Sequence, residues 1–329
     1  MKLPRRKFLH LAAGVAALPA VSRITLAQTY PTRPITMVVP YAAGGPTDTI
    51  ARILTERMRV SLGQIVIVEN VTGAAGTIGV GRVARAAPDG YTICIGHWGT
   101  HVVNGAIYDL PYHVFNDFEP VSLIATNPAL IVARKAVPAN TLQELIAWLK
   151  ANAATATQGT AGLGSASHVS GVYFQAITGT RFQFVPYRGA GPAMQDLVAG
   201  QIDMMIDQAA NSLLPVRAGL IKAYAVTGKT RLTAAPDIPT VDEAGVPGLH
   251  ISTWHALWMP KGTSKDIITR LDGAVVDALA DARVRQRLAD LGQELPPPEE
   301  QNPETLAAFH KAEIEKWWPI LRAANIKVE

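Results

Sequence analysis

Short β-type runs alternate with amphipathic helical patterns along most of the 329-residue chain, and this alternation limits the possible folds more than any other feature. Residues 35–40 form an apolar run, a turn of small residues follows, and apolar residues then recur at helical spacing over residues 50–58. Such alternation is typical of a mainly parallel sheet covered by helices. The further strand-like runs are residues 65–68, 91–95, 129–133, 156–160, 182–186, 202–206 and 222–226.

The alternation begins again after residue 128, where Thr141 and Glu144 fit a capping box that opens a new helix. The last helical patterns fill residues 265–291 and 303–324. We therefore predict an α/β protein of two lobes, each a doubly wound, mainly parallel sheet. The chain should cross between the lobes near residue 127 and return near residue 250, which places residues 28–127 plus 251–329 in one lobe and 128–250 in the other.

The first 27 residues have the composition of an export signal. Four basic residues precede an apolar stretch over residues 8–20, which is shorter than the ~20 apolar residues that span a bilayer. Arg5 and Arg6, followed by Lys, Phe and Leu, match the twin-arginine export pattern, with ordinary secretion as the alternative. We predict a periplasmic protein whose signal, residues 1–27, is cleaved near Ala27.

The net charge of the chain depends on whether this signal is present. The full sequence has 30 Lys and Arg against 26 Asp and Glu, a formal net charge of +4. The first 27 residues hold five of the basic residues and none of the acidic ones, so 25 basic residues face 26 acidic ones after cleavage, a net charge of −1. A chain of this charge lacks the basic face that nucleic-acid binding requires, and we predict no nucleic-acid partner.

The single cysteine and the distribution of apolar residues narrow the class further. Cys94 has no partner for an intramolecular disulfide and lies inside an apolar run, which favours a buried structural role. No second apolar stretch of ~20 residues follows the signal, so we predict a mature chain that is not inserted in a membrane.

The turn after the first strand is the segment most informative about ligand binding. Residues 42–45 are small enough for a tight turn, and Pro46 begins a helix. The unpaired N–H groups of that first helical turn, together with the helix dipole, suit a carboxylate or a phosphate. Asp48 falls near the third helical position, so we expect it to organise the loop rather than act as a base. The alternative is an ordinary strand–helix turn without a ligand.

Two further strand ends have a similar character. Residues 159–168 again join a strand to a helix and supply hydroxyl groups, an imidazole and free N–H groups. The run over residues 204–207 ends in Asp207. Ligands of doubly wound sheets bind outside the carboxyl ends of the strands, where all three segments should lie.

Enzyme motifs are weak or missing in the sequence. Ser165 does not stand in G-x-S-x-G, the glycines near residue 79 lack the order of a dinucleotide fingerprint, and no P-loop lysine follows a glycine-rich turn. His97 and His101 are four residues apart, but the glycines around them oppose a stable helix. We predict no catalytic activity, no metal and no cofactor, and a hydrolase that uses Ser165 and His168 is the weakest alternative.

Several segments, in their order and spacing, carry a specific pattern: residues 30–35, 38–48, 63–70, 73–79, 88–92, 164–165, 168, 186–189 and 200–207. Together they resemble the Bug family, the extracytoplasmic solute receptors of tripartite tricarboxylate transporters. The resemblance implies a Venus-flytrap periplasmic-binding-protein fold with the ligand clamped in a cleft between the lobes. It also implies that loops 41–48 and 164–168 grip a carboxylate through backbone N–H groups and hydroxyls.

Some residues depart from the family pattern. Tyr41 stands where Phe is frequent, Ser167 and residues 169–171 replace commoner residues around the histidine, and Gln208 follows Asp207. These departures concern the identity of the ligand more than the fold.

We expect the ligand contacts to be Tyr41, Gly44, Gly45, Pro46, Thr47, Asp48, Thr100, Gly164, Ser165, Ser167, His168 and Asp207. The expected partners are a small carboxylate, aliphatic or aromatic with one or two carboxyl groups, and the membrane subunits of a tripartite tricarboxylate-type transporter. We expect the protein to be a monomer. The alternative function is that of a ligand-sensing receptor that signals to a membrane sensor kinase, since both functions need the same clamp.

Overall fold

A computed structural model describes residues 30–323, and the predicted export signal lies outside them. These residues form nine strands: β1 (Ile35–Val39), β2 (Val66–Asn70), β3 (Thr92–His97), β4 (Phe118–Arg134), β5 (Thr157–Thr160), β6 (Gln183–Pro186), β7 (Met204–Gln208), β8 (Ile221–Val226) and β9 (Ser252–Pro260). The same range contains ten α-helices: α1 (Pro46–Leu62), α2 (Thr77–Ala84), α3 (Asn104–Ile107), α4 (Leu142–Ala151), α5 (Ala166–Thr178), α6 (Ala190–Val198), α7 (Ala209–Arg217), α8 (Lys265–Ala280), α9 (Ala282–Asp290) and α10 (Pro303–Ala323).

The strands join in one continuous sheet with the order β2-β1-β3-β9-β4-β7-β5-β6, and β8 pairs with β4 beside this path. In one half, β2, β1 and β3 are parallel, and β9 runs antiparallel to both β3 and β4. In the other half, β5, β6 and β7 are parallel, and β4 runs antiparallel to both β7 and β8. Each half therefore has four strands in one direction and one in the other, which confirms the predicted two-lobed, mainly parallel α/β fold.

Strand β4 belongs to both halves of the sheet. Its residues 118–128 pair with β9, and its residues 129–134 pair with β7 and β8. We call the half with β1, β2, β3 and β9 the first lobe and the half with β5, β6, β7 and β8 the second lobe. The division at residues 127 and 250 stays our proposal, and the exchange of partners after Pro128 supports it.

Buried Asn127 ties the two lobes together at this exchange. Its side-chain amide donates to the carbonyl oxygen of Gly292 at 2.8 Å, and its side-chain oxygen accepts from the N–H of Ala209, the first residue of α7, at 2.9 Å. Thr126 pairs with Glu294 next to it. One residue of the crossing strand thus contacts the chain segment after α9 and a helix of the second lobe.

The helices cover the sheet with the faces that the sequence pattern predicts. Helix α1 buries Ile50, Leu54 and Met58 against β1 and against α8, which buries Leu271 and Val275 in the same cluster. In the second lobe, α6 and α7 bury their apolar residues against β4 and β7. Cys94 is fully buried in β3, as its apolar surroundings predict.

Two parts of the predicted element pattern differ from the structure. The helical pattern over residues 265–291 is interrupted at Asp281, which has an extended backbone and accepts hydrogen bonds from the N–H groups of Arg283 and Val284 at the start of α9. Strand β9, helices α3 and α7, and residues 118–128 of β4 are additional elements. Between residues 30 and 323, no helix is long and apolar enough to cross a membrane.

Candidate functional site

The carboxyl ends of β1, β3, β5 and β7 surround a cavity of about 30 Å³ between the lobes. A wider space of about 680 Å³ adjoins it and shares Tyr41 and Ala161 with it, so the cavity opens toward a mouth between the lobes. The polar residues that line the cavity are Tyr41, His97 and Thr253 from the first lobe and Ser165, Ser167, Ser170, Asp207 and Gln208 from the second.

The turn between β1 and α1 exposes backbone donors toward the other lobe. Gly44 has a φ of 81°, a conformation that favours glycine, and Gly45 precedes the first helical residue without supplying a side-chain cap. The first N–H groups of α1 therefore have no side-chain acceptor from the capping residue. Such groups suit an anion.

Asp48 holds this turn in place. Its carboxylate accepts from the N–H of Gly44 at 2.9 Å, from Arg52 in a bidentate pair at 2.9 and 3.0 Å, and from Asn70 at 3.0 Å. Burial alone would raise the pKa of Asp48, but the hydrogen bonds from Arg52, Gly44 and Asn70 together lower it. The carboxylate is thus an ionised structural group whose oxygens are already engaged.

The turn between β5 and α5 repeats this arrangement with different chemistry. Gly164 has a φ of 78°, and its N–H donates to Nδ1 of His168, four residues later, at 3.0 Å. The His168 ring packs edge-on against Phe184, and burial lowers the pKa of His168 to about 4, so the imidazole is neutral at pH 7 and accepts at Nδ1. In both lobes a glycine in the left-handed region is held by an acceptor four residues further along.

Two serine hydroxyls stand at the start of α5. Ser165 caps the helix by accepting from the N–H of His168 at 3.4 Å, and Ser167 accepts from the N–H of Ala161 at 2.9 Å. The two hydroxyl oxygens are 3.1 Å apart, so one hydroxyl proton lies between them. Because each hydroxyl carries one proton, the second proton is available to a ligand in the cavity.

His97, at the end of β3, is a site residue that the sequence analysis did not select. Nδ1 accepts from the N–H of Gly99 at 2.8 Å, and the ring stacks on Tyr41 with the centroids 5.0 Å apart. Burial lowers the pKa of His97 to about 3, so the ring is neutral and Nε2 carries the proton. Its position at the carboxyl end of a parallel strand was the available signal.

Asp207 and Gln208 end β7 on the opposite side of the cavity. The carboxylate of Asp207 accepts from Asn211 at 2.5 Å and lies 3.5 Å from the hydroxyl of Ser212. Burial raises the pKa of Asp207 to about 6, although hydrogen bonds from Asn211, the N–H of Gln208 and Ser212 act against the rise. Within residues 30–323, neither Lys nor Arg lines the cavity.

Direct contacts close the lobes over this site. The N–H of Ala42 donates to the carbonyl oxygen of Arg188 at 3.1 Å, and the hydroxyl of Tyr108 donates to the carbonyl oxygen of Leu163. The first turn of α6 lies against the first loop: a Cβ atom added to Gly191 would lie 2.9 Å from the carbonyl carbon of Gly44. The structure is therefore that of a closed clamp.

Residues 50–326 match the family of tripartite tricarboxylate transporter receptors, TctC. The chain belongs to this family. The receptor is similar to the periplasmic binding protein BugD, with 42% identity, a TM-score of 0.88, and coverage of 91% of this chain and 100% of that one. It is similar to MatC from Rhodopseudomonas palustris, solved with malate, at 41% identity, a TM-score of 0.86 and coverage of 89% and 100%. A further R. palustris protein, solved with adipate, has 33% identity, a TM-score of 0.85 and coverage of 91% and 99%.

Family membership confirms several predictions from the sequence. The receptor is a periplasmic-type solute-binding protein of the Bug kind and not an enzyme. In agreement with this, the hydroxyls of Ser165 and Ser167 bond to each other and to backbone groups, and Nδ1 of His168 bonds to Gly164, so no serine–histidine pair is formed.

The structure brings only some of the predicted ligand contacts to the cavity wall of the receptor. Tyr41, Ser165, Ser167 and Asp207 line it. The remaining predicted contacts lie outside the cavity wall, in the two turns or behind them: Gly44, Gly45, Pro46, Thr47, Asp48, Thr100, Gly164 and His168.

Thr47 and Thr100 illustrate the supporting role. The hydroxyl of Thr47 is 3.1 Å from Nε2 of buried His255. The hydroxyl of Thr100 accepts from the N–H of His97 at 3.0 Å and also contacts Nδ1 of His101. His101 stacks on Trp258 with the centroids 3.7 Å apart, and no cluster of metal ligands occurs within residues 30–323.

Proposed function

We propose that the receptor captures a small carboxylate between its lobes and delivers it to the membrane subunits of a tripartite tricarboxylate-type transporter. The observation that carries this proposal is the meeting of loops 41–48 and 164–168, one from each lobe, at a single cavity, which Tyr41 of the first loop and Ser165 and Ser167 of the second line. Loops 41–48 and 164–168 begin helices there, and their free N–H groups suit a carboxylate. Hinge motion between the lobes supplies the switch between release and capture.

Within the cavity of about 30 Å³, the proposed grip on the carboxylate group depends on neutral donors, and Arg188 lines the wider space that adjoins it. Nε2–H of His97, the free proton of the Ser165–Ser167 pair and the first N–H groups of α5 and α6 surround the cavity. A carboxylate oxygen accepts from such groups in strong, charge-assisted hydrogen bonds. The malate and adipate bound to the two R. palustris relatives support a carboxylate ligand.

The test is a thermal-shift and calorimetry series with the purified protein and a panel of mono- and dicarboxylates. At a concentration of 100 times its dissociation constant, a bound acid should stabilise the protein by about 2.7 kcal/mol. The corresponding amides or methyl esters, which lack the negative charge, are the matched controls and should leave the melting temperature unchanged. A protein that responds to no carboxylate, or equally to acids and their amides, would contradict the proposal.

We also propose that residues 1–27 direct export by the twin-arginine route and are cleaved near Ala27, which the basic pair, the short apolar stretch and the small residues support. Replacing Arg5 and Arg6 by lysine keeps the charge and removes the recognised pair. The variant should remain in the cytoplasm at full length, as fractionation and N-terminal sequencing would show. Normal export of the variant would instead indicate ordinary secretion.

A further inference from the structure

The end of β7 presents two neighbouring acceptors that the grip described above does not use. Asp207 is 3% and Gln208 is 8% exposed, and both line the cavity. Within the described residues, the side-chain oxygen of Gln208 has no hydrogen-bond partner. The carboxylate of Asp207 is held by Asn211 and Ser212 of α7, which are neutral groups, so no salt bridge neutralises it. Buried polar groups are usually paired, and an unpaired one requires an explanation.

The rest of the cavity wall has the opposite hydrogen-bonding character. His97 offers Nε2–H, the Ser165–Ser167 pair offers one proton, and the starts of α5 and α6 offer N–H groups. A carboxylate group turned toward these donors leaves the other side of the ligand facing Asp207 and Gln208. A methylene group in that position would leave the side-chain oxygen of Gln208 dehydrated and unpaired and would offer no donor to the charge of Asp207, and a second carboxylate would meet that charge.

We propose that Asp207 and Gln208 form an acceptor pair that selects small carboxylates with a hydrogen-bond donor, a hydroxyl or an ammonium group, beside the carboxylate. This inference rests on the proposed function and specifies the substrate class of the same site. It assigns Asp207 and Gln208 to ligand discrimination, while the glycine turns and serines hold the carboxylate that all candidate ligands share.

The test compares acids that differ only at the carbon next to the carboxylate. Succinate and malate form one pair, and propionate, lactate and alanine form a three-carbon series in which hydrogen, hydroxyl and ammonium replace one another. By calorimetry, the wild-type protein should bind malate at least about ten-fold more tightly than succinate, because a hydrogen bond to a charged group contributes about that factor. Lactate or alanine should bind more tightly than propionate by a similar factor. Which of the two binds more tightly shows whether the site prefers a hydroxyl or an ammonium donor.

Two variants and one control assign this discrimination to the acceptor pair. Asp207→Asn keeps the shape but removes the charge and half of the acceptors, and Gln208→Met removes the amide at similar volume. In both variants, the malate-to-succinate affinity ratio should fall several-fold toward one. The affinity for alanine should fall more in Asp207→Asn than the affinities for the other acids. Asp237→Asn removes an exposed carboxylate of the second lobe and should leave every ratio unchanged.

The possible failures are distinguishable. If no carboxylate binds, the proposed function itself is wrong. If acids bind but the wild-type protein does not discriminate within the pairs, or binds only acids without a donor such as adipate or benzoate, the acceptor pair is wrong and carboxylate capture stands. The acceptor pair would also be wrong if the malate-to-succinate affinity ratio were unchanged in both folded variants, or if it fell equally in Asp237→Asn. If Asp207→Asn does not fold, Gln208→Met alone decides.

Discussion

Individual side chains of this receptor stabilise the backbone conformation of the two turns, and Asp48 and His168 show this most clearly. Each accepts from the N–H of a left-handed glycine four residues earlier, Gly44 and Gly164. An ionised carboxylate does this in one lobe and a neutral imidazole in the other. The sequence predicted the organising role of Asp48, because its place in the first helical turn is a sequence property. It did not predict that of His168, because the geometry depends on how the ring packs on Phe184.

The hydroxyl of Ser165 combines a capping role with a place on the cavity wall, and a substitution can separate the two. Ser165→Ala should lower the stability of the protein by about 1 kcal/mol through loss of the helix cap. It should also weaken carboxylate binding about ten-fold, since it disrupts the serine pair that offers a proton. The measurement is calorimetric titration together with thermal unfolding.

Thr141→Ala is the matched control for this prediction. Thr141 caps α4 in the same lobe by accepting from the N–H of Glu144 at 3.2 Å, and it lies outside the cavity wall. The control should lose comparable stability and keep its affinity. Equal losses of affinity in the two variants would show that Ser165 acts on binding only through helix stability.

At the scale of elements, the close approach of α6 to the first loop determines how far the lobes can close. An added Cβ atom at Gly191 would lie 2.9 Å from the carbonyl carbon of Gly44 and 3.0 Å from the nitrogen of Gly45. These are backbone atoms that cannot rotate away. Gly191→Ala should therefore fold normally, since alanine suits a helix, but close incompletely and bind carboxylates at least about ten-fold more weakly.

Gly273→Ala provides the control for this substitution. Gly273 lies in α8, and an added Cβ atom there has nothing within 4 Å. The control should be stabilised by about 0.5–1 kcal/mol and bind with wild-type affinity. Small-angle X-ray scattering with saturating ligand should show compaction in the control but not in Gly191→Ala. Wild-type affinity in Gly191→Ala would mean that the ligand is held without this contact.

The elements that sequence analysis recovered are those with local signals. Helix α4 begins at the predicted Thr141 cap, and the apolar face of α1 is the one predicted. Strand β9 was missed, and its pairing with β3 and β4 joins segments more than a hundred residues apart, which no local pattern shows. Whether the side chains of His97 and Gln208 find hydrogen-bond partners also depends on such long-range pairings. The sequence alone therefore did not predict their place in the site.

For the whole molecule, buried histidines should determine the response to acid. Burial lowers the pKa of His97 to about 3, lowers those of His168 and His310 to about 4, and holds those of His101 and His255 well below the ordinary value. In the unfolded chain these groups bind protons below pH 6.5, so the stability they allow at neutral pH is lost as pH falls from 6.5 toward 4.

Two carboxyl groups, of buried Asp207 and half-buried Asp272, act in the opposite direction. Burial raises the pKa of Asp207 and of Asp272 to about 6, so their contribution is present below pH 3.8 and is lost as the pH rises through 6. The five histidines together change the free energy of unfolding with pH more than the two carboxyl groups do. The free energy of unfolding should therefore increase between pH 4.5 and 6.5, with up to about 1.4 kcal/mol per pH unit from each histidine.

His101→Phe tests this account of acid sensitivity. The variant keeps an aromatic ring on Trp258 and removes one titrating group. Chemical denaturation at half-unit pH steps should show that the free energy of unfolding depends less steeply on pH than in the wild-type protein. The difference in slope should be roughly the contribution of one histidine. A slope equal to that of the wild-type protein would contradict a role for buried histidine protonation.

The proposed function requires that loops 41–48 and 164–168, one from each lobe, together bind a carboxylate at a single cavity. The most direct measurement is a crystal structure of the receptor with a carboxylate that calorimetry has shown to bind. We predict carboxylate oxygens within hydrogen-bond distance of N–H groups of loops 41–48 and 164–168, with the serine pair beside them. A ligand bound elsewhere, or one whose carboxylate is held by Lys or Arg side chains, would contradict it.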